Sequence, residues 1–175
     1  MLSKLRSKIN LNHTDQKTGV YEVILLGYCS NEVASTHISR YILATKLING
    51  IVLDCASGSC YGSSILRRKA SFVVSADIGN DVLMWGKIVY KADCVRADAE
   101  HLPFRKQSFD SIVSIETIEH VKKFKTFSMA LNIVLKKTEI SLLALQINYI
   151  TLHFLQNLII PIIQRNIIWV SLSCF

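Results

Sequence analysis

The run Ile51-Val-Leu-Asp54-Cys-Ala-Ser-Gly58-Ser-Cys-Tyr-Gly62 constrains this chain more than any other segment. An apolar strand ends in an acid, passes into a loop of small residues and enters a helix. The next apolar run, Phe72-Val-Val-Ser-Ala-Asp77, ends in another acid. Strand, tight loop, helix and strand in that order build a parallel βαβ unit, with a ligand pocket at the carboxyl edge of the sheet.

The same alternation continues on both sides. Residues 31–48 place Val33, Ile38, Ile42, Leu43 and Leu47 at helical spacing, and Asn49-Gly50 stops that helix. Strand one is 51–54, and a helix starts at Ser63–Lys69. Strand two is 72–77, a second helix covers Asp81–Val89, and a short strand lies near 93–96. A further strand covers Asp110–Ile115, and a helix runs from Phe124 to Leu135. The fold class this predicts is α/β: a Rossmann-like parallel sheet with helices on both faces. Three regions follow: an N-terminal arm over 1–30, a core over 31–137 and a tail over 138–175.

Composition excludes several alternatives. Of the 175 residues, 50% are hydrophobic and 19% charged, which argues against a disordered chain. The net charge of +7 is dispersed, with no block of five like charges, so a dedicated nucleic-acid surface is not indicated. The five cysteines form no CxxC pair and no zinc-spaced cluster, so no metal is expected. The odd count, and a basic start (Met-Leu-Ser-Lys) with no apolar signal core behind it, suit a reducing cytoplasm.

The strand-end acids carry the chemistry. Asp54 would repel a phosphate and suits a ligand with a cationic or hydroxyl-rich face. Gly58 and Gly62 let the backbone turn and approach a ligand closely. Asp77, 23 residues after Asp54, is placed to take both hydroxyls of a ribose. Asp98, followed by Ala99, can accept a hydrogen bond from an exocyclic adenine amine. Each feature alone has a bland reading, a turn or a helix cap. Their order and spacing together do not.

The stretches VLDCASGSCYGSSIL, VVSADIGNDVL and VRADAEHLPFRKQSFDSIVSIETIEHV, with the approach His37-Ile-Ser-Arg40-Tyr41, resemble the class I S-adenosylmethionine-dependent methyltransferases, type 11-like small-molecule branch. The likeness covers about residues 37–137. It implies S-adenosyl-L-methionine as cofactor and methyl transfer to an unidentified acceptor, a small molecule or one of unknown class. It implies that Asp54, Ala56, Ser57, Gly58, Ser59 and Gly62 hold the methionine part. Asp77 and Ile78 would meet the ribose, and Asp98 and Ala99 the adenine. Ser114, Glu116 and Thr117 would follow strand four beside the acceptor. Glu119 and His120 are the candidates for acid/base work. The competing reading is that this pair caps or solvates the following helix.

Two departures stand out. Cys60 occupies a position where such loops carry glycine; a Cβ there costs about 1 kcal/mol if φ is positive, and the thiol would crowd the methionine tail. The second departure is the tail. All seven glycines lie at or before Gly86, and after Glu139 the only Lys, Arg, Asp or Glu is Arg165. Residues 140–163 are long enough to span a bilayer, yet they carry Gln146, Asn148, His153, Gln156, Asn157 and Pro161.

A shift of reading frame explains the tail. Read from the third base of each preceding codon, residues 158–170 permit Tyr-Asn-Pro-Tyr-His-Thr-Lys-Glu-Tyr-Tyr-Leu-Gly, the kind of text with which such enzymes continue. Residues from about Thr138 onward are then out of frame, and the last two antiparallel strands of the sheet are missing or replaced. Strand five can still form from Ser141–Ile147. The expectation is a methyltransferase, truncated or frameshifted at its C-terminus. The alternatives are an inactive or cofactor-binding-only remnant, a nicotinamide oxidoreductase, which Asp54 disfavours, and a membrane-anchored protein using 140–163.

Overall fold

Alternation along the strand Ile51–Cys55 (β1) sets the architecture. Val52 and Asp54 point to one face and Leu53 and Cys55 to the other, and all four are buried. A strand buried on both sides needs helices on both faces. The computed structural model describes residues 25–26, 30–136, 142–146 and 167–171. The 1–24 part of the arm and most of the apolar tail, including 147–163, lie outside the described residues.

Around β1 the elements run Asn31–Thr45 (α1), β1, Tyr61–Leu66 (α2), Phe72–Asp77 (β2), Asn80–Val89 (α3), Asp93–Arg96 (β3), Ser111–Ile115 (β4), a 3₁₀ turn Ile118–His120, Phe124–Val134 (α4), Leu142–Gln146 (β5) and Ile167–Ser171 (β6). The strand order is β3-β2-β1-β4-β5-β6, parallel at every pairing. The order reverses between β1 and β4, and at such a switch point the carboxyl ends open a crevice.

Each face has its own core. On one, Tyr41 and Ala44 of α1 and Tyr61 and Leu66 of α2 pack on Val52, Val73 and Val113. On the other, Phe127, Leu131 and Val134 of α4 pack on Leu53 and Ile112. The 3.6-residue period of α4 turns Phe127, Ser128, Leu131 and Val134 inward and leaves Met129 and Ile133 exposed. Burying each large side chain stabilises the fold by roughly 1.5–3 kcal/mol.

The predicted elements stand with small shifts at their ends. α1 stops at Thr45, before the expected 48, because the chain turns through Lys46 and Leu47. β5 falls inside the expected 141–147. β6 has no counterpart in the sequence reading. It lies parallel to β5, so the C-terminal edge of the sheet is occupied by a parallel strand, and the described residues contain no antiparallel strand there. No helix among the described residues is long and apolar enough to cross a membrane.

Cys60 packs away from the crevice. It caps α2 with φ 63°, in the left-handed region, so the strain expected of a non-glycine residue is present. Its thiol is not directed at the loop's outer side. It is buried with Leu83 and Ala92 and reaches Cys94. Gly86 of α3 makes that possible: a Cβ there would overlap the thiol and lie 2.7 Å from the Cys60 Cβ and 3.1 Å from the Ser59 carbonyl oxygen. Gly86→Ala would gain about 1 kcal/mol in helix propensity. The overlap outweighs that gain, and a net loss of about 1–2 kcal/mol is expected by chemical denaturation. In a Cys60→Gly background the loss should shrink or reverse; an unchanged loss would show that the thiol is not the obstacle.

Candidate functional site

Four strand ends meet at one cleft of about 360 Å³. β1 supplies Cys55 and the loop residues Ala56 and Gly58. β2 supplies Asp77 and Ile78, the chain after β3 supplies Asp98 and Ala99, and the chain after β4 supplies Glu116, Thr117 and His120. All of these except Cys55 were expected from the sequence.

Asp77 joins two loops. Its Oδ2 accepts the Gly58 N–H at 2.8 Å and its Oδ1 accepts the Gly79 N–H at 2.8 Å. Burial raises its pKa, and the backbone N–H groups of Gly79, Gly58 and Ile78 oppose the shift. Each oxygen keeps a lone pair for a ligand hydroxyl. Asp98 stands near the rim, half exposed. Its Oδ1 accepts the Glu100 N–H at 2.8 Å, and its Oδ2 lies 3.2 Å from His101 Nδ1. The Glu100 N–H, with help from His101, holds this carboxyl below its usual range.

A further acid fixes the cleft's width. Glu100 Oε1 accepts the backbone N–H groups of Lys122 and Lys123 at 2.8 and 3.1 Å, tying the chain after β3 to the chain after β4. Leu102 and Val121 add apolar wall. None of Glu100, Val121, Lys122 and Lys123 was singled out in the sequence. The Lys122-Lys123 pair, one residue beyond His120, was the available signal.

Five expected residues lie off the cleft wall. Asp54 is buried beneath the loop, where its Oδ1 accepts the Tyr41 hydroxyl at 3.2 Å and its Oδ2 accepts the Ser63 hydroxyl at 2.5 Å. The Ser75 hydroxyl donates in turn to Ser63 at 2.6 Å. Burial pushes the Asp54 carboxyl up to about 7 against these donors. Ser57 and Ser59 are buried within the loop, and the Ser57 N–H donates to the Ala76 carbonyl at 3.0 Å. The space left by Gly62 is filled by the Tyr41 ring, not by the cleft. Ser114 is buried and donates to Thr117 Oγ1 at 2.9 Å. Glu119 lies in the 3₁₀ turn with its side chain outside the described residues. His120 is exposed at the cleft edge.

The donor set fits S-adenosyl-L-methionine. Carboxylates at Asp77 and Asp98 complement hydroxyls and an amine, and a pyrophosphate would face like charges there, while Glu116, paired with Arg40, adds a third acid to the cleft. The apolar patches Ile78, Ala99 and Leu102 suit a flat base.

A family model described as a methyltransferase domain matches residues 53–141, just over half of the chain. A search of curated proteins gives no match. Among solved structures, the chain is similar to the YcgJ protein of Bacillus subtilis, at 18% identity and a TM-score of 0.55, over 60% of this chain and 48% of that one. It is similar to the PH0226 protein of Pyrococcus horikoshii, at 27% identity and a TM-score of 0.55, over 61% of this chain and 55% of that one. The cyclase SpnF has the same fold, at 16% identity and a TM-score of 0.51, over 67% of this chain and 46% of that one. The chain thus spans about half the length of these proteins. The matched residues run from β1 past α4 and hold every residue that lines the cleft, and the chain belongs to the methyltransferase-domain family.

Proposed function

We propose that this chain binds S-adenosyl-L-methionine and transfers its methyl group to a small-molecule acceptor. One observation carries the reading: acids from three successive strand ends, Asp77, Asp98 and Glu116, converge on one cleft within the family's matched segment. In this reading the ribose hydroxyls lie on Asp77, the adenine on Asp98 and Ala99, and the methionine part along Ala56–Gly58. Asp54, Ser57, Ser59 and Gly62 support that loop from beneath.

The cofactor supplies a methyl already activated on a positive sulfur, so the protein's task is alignment. Asp77 ties the loops after β1 and β2, and Glu100 ties the chains after β3 and β4, so the acceptor enters a preformed gap. Leu102 and Val121 exclude water from it. His120, exposed at the cleft edge, is placed to take a proton from an acceptor that loses one. A reducing, cytoplasmic location accompanies the proposal, since Cys55, Cys60 and Cys94 are free thiols.

Calorimetry tests the assignment. Asp77→Ala is expected to weaken S-adenosylmethionine binding at least about 10-fold, since hydrogen bonds to a charged group contribute roughly 1.5–3 kcal/mol. NAD should produce no heat. Unchanged binding in the variant, or binding of NAD instead, would overturn the reading. A second reading, a chain that binds the cofactor without turning over, draws on the parallel β6 at the sheet edge. Binding without methyl transfer across a panel of amine, hydroxyl and carboxylate acceptors would favour it.

A further inference from the structure

We propose that Cys60 and Cys94 form an oxidation site, a dithiol that a hydroperoxide converts into an intramolecular disulfide. The two Sγ atoms lie 3.6 Å apart although 34 residues separate them in sequence. A disulfide requires about 2.05 Å, so the sulfurs must approach by roughly 1.5 Å. The room for their meeting is built into the fold. Gly86 leaves the space that the Cys60 thiol fills, and Leu83 and Ala92 enclose it. Neither cysteine belongs to the machinery assigned above, and the site does not depend on the proposed methyl transfer.

The two thiols are unlike. Cys60 is fully buried, and Cys94, on the edge strand β3, is only partly buried and accessible to a small oxidant. The two thiols share one sulfur–sulfur contact, in which either can donate. That contact, aided by the cations of Lys87 and Arg67 and opposed by burial, holds Cys94 below the usual thiol range. The same contact, with burial, pushes Cys60 up. Cys94, the thiol a small oxidant can reach, is the nucleophile, and buried Cys60 is the resolving thiol.

The Cys94 sulfur attacks one oxygen of hydrogen peroxide. The O–O bond breaks, the departing hydroxide takes up the thiol proton as water, and Cys94 becomes a sulfenic acid. The Cys60 sulfur then attacks the Cys94 sulfur. The S–S bond forms, the S–O bond breaks, and the hydroxyl leaves with the Cys60 proton as a second water. Two thiols are oxidised and one peroxide is reduced. The product pins the loop after β1 to the edge strand.

The test treats the reduced, full-length chain with stoichiometric hydrogen peroxide, alkylates it and maps its peptides by tandem mass spectrometry. A Cys60–Cys94 cross-link with a loss of about 2 Da is expected. Cys60→Gly suits the left-handed backbone at that position. It should form no cross-link, and its Cys94 should be trapped by dimedone as the sulfenic acid. The proposal fails if the native chain shows no such link, or if Cys29, Cys55 or Cys174 links instead. It also fails if guanidinium-unfolded chain forms the same link equally well.

Discussion

Glu116→Gln is expected to destabilise the fold by about 3 kcal/mol, because it strands a buried guanidinium. Arg40 projects from α1, is 1% exposed, and donates from Nη1 to Glu116 Oε1 at 2.8 Å. Its Nη2 is buried with no hydrogen-bond partner among the described residues. An arginine does not escape by losing its proton. Glu116 is 24% exposed and faces the cleft, so the counter-charge is reachable by water while the cation is not. Removing the carboxylate charge therefore costs more than the pair itself contributes.

Arg40→Met separates the two effects. It removes the cation and the unpaired Nη2 while keeping most of the volume, so its cost should stay within about 1 kcal/mol of zero. The double variant Arg40→Met with Glu116→Gln should resemble Arg40→Met alone. Urea denaturation midpoints report all three. A loss below about 0.5 kcal/mol for Glu116→Gln would mean that water reaches Arg40, and the account would be withdrawn.

This pair also marks the boundary of what the sequence discloses. The strands and their terminal acids are legible because period-2 burial and small-residue loops are local signals. Asp77, Asp98 and Gly58 reach the cleft for that reason. Arg40 gives no such signal. In an amphipathic helix it reads as a solvent-facing charge, and its ion-pair partner Glu116 lies 76 residues away. Glu100 is similar, since its partners are backbone N–H groups 22 and 23 residues on, which no side-chain pattern announces.

Asp54 shows the opposite difficulty. A strand-end acid before a glycine loop invites a ligand role, yet its place two residues after Val52 puts it on the α1 face. There Tyr41 and Ser63 take both oxygens. Cys60 was read as a flaw in the cofactor loop. The strain was legible from the missing glycine, but the direction of the thiol depends on Gly86, 26 residues later, and on Cys94. β6 follows from pairing with β5, a non-local event that the largely apolar tail does not specify.

Asp54→Asn is expected to flatten the dependence of stability on pH between about 4 and 7. The unfolded carboxyl titrates near 3.9, and burial raises the folded one to about 7. Between those values the folded chain keeps a proton that the unfolded chain has released. Stability therefore falls as pH rises through this window. The contribution is complete below about pH 4 and gone above about pH 7. About three pH units correspond to roughly 4 kcal/mol, and Asp54 is fully buried, so solvent does not screen the effect. Asp77, also raised by burial, adds in the same direction. Asp98 and Asp110 are lowered, and their contribution runs the other way, present above the unfolded value and lost on acidification. Asp98 is half exposed and Asp110 about a quarter exposed, so solvent screens both and their share is the smaller. Asparagine at position 54 cannot ionise, still accepts from the Tyr41 hydroxyl, and leaves Ser63 its bond from Ser75. Denaturation midpoints at pH 5 and pH 7.5 should differ clearly in the native chain and much less in the variant. Equal slopes would mean that Asp54 ionises freely in the fold, and that the loop holding Gly58 does not rest on a carboxyl that keeps its proton up to about neutral pH.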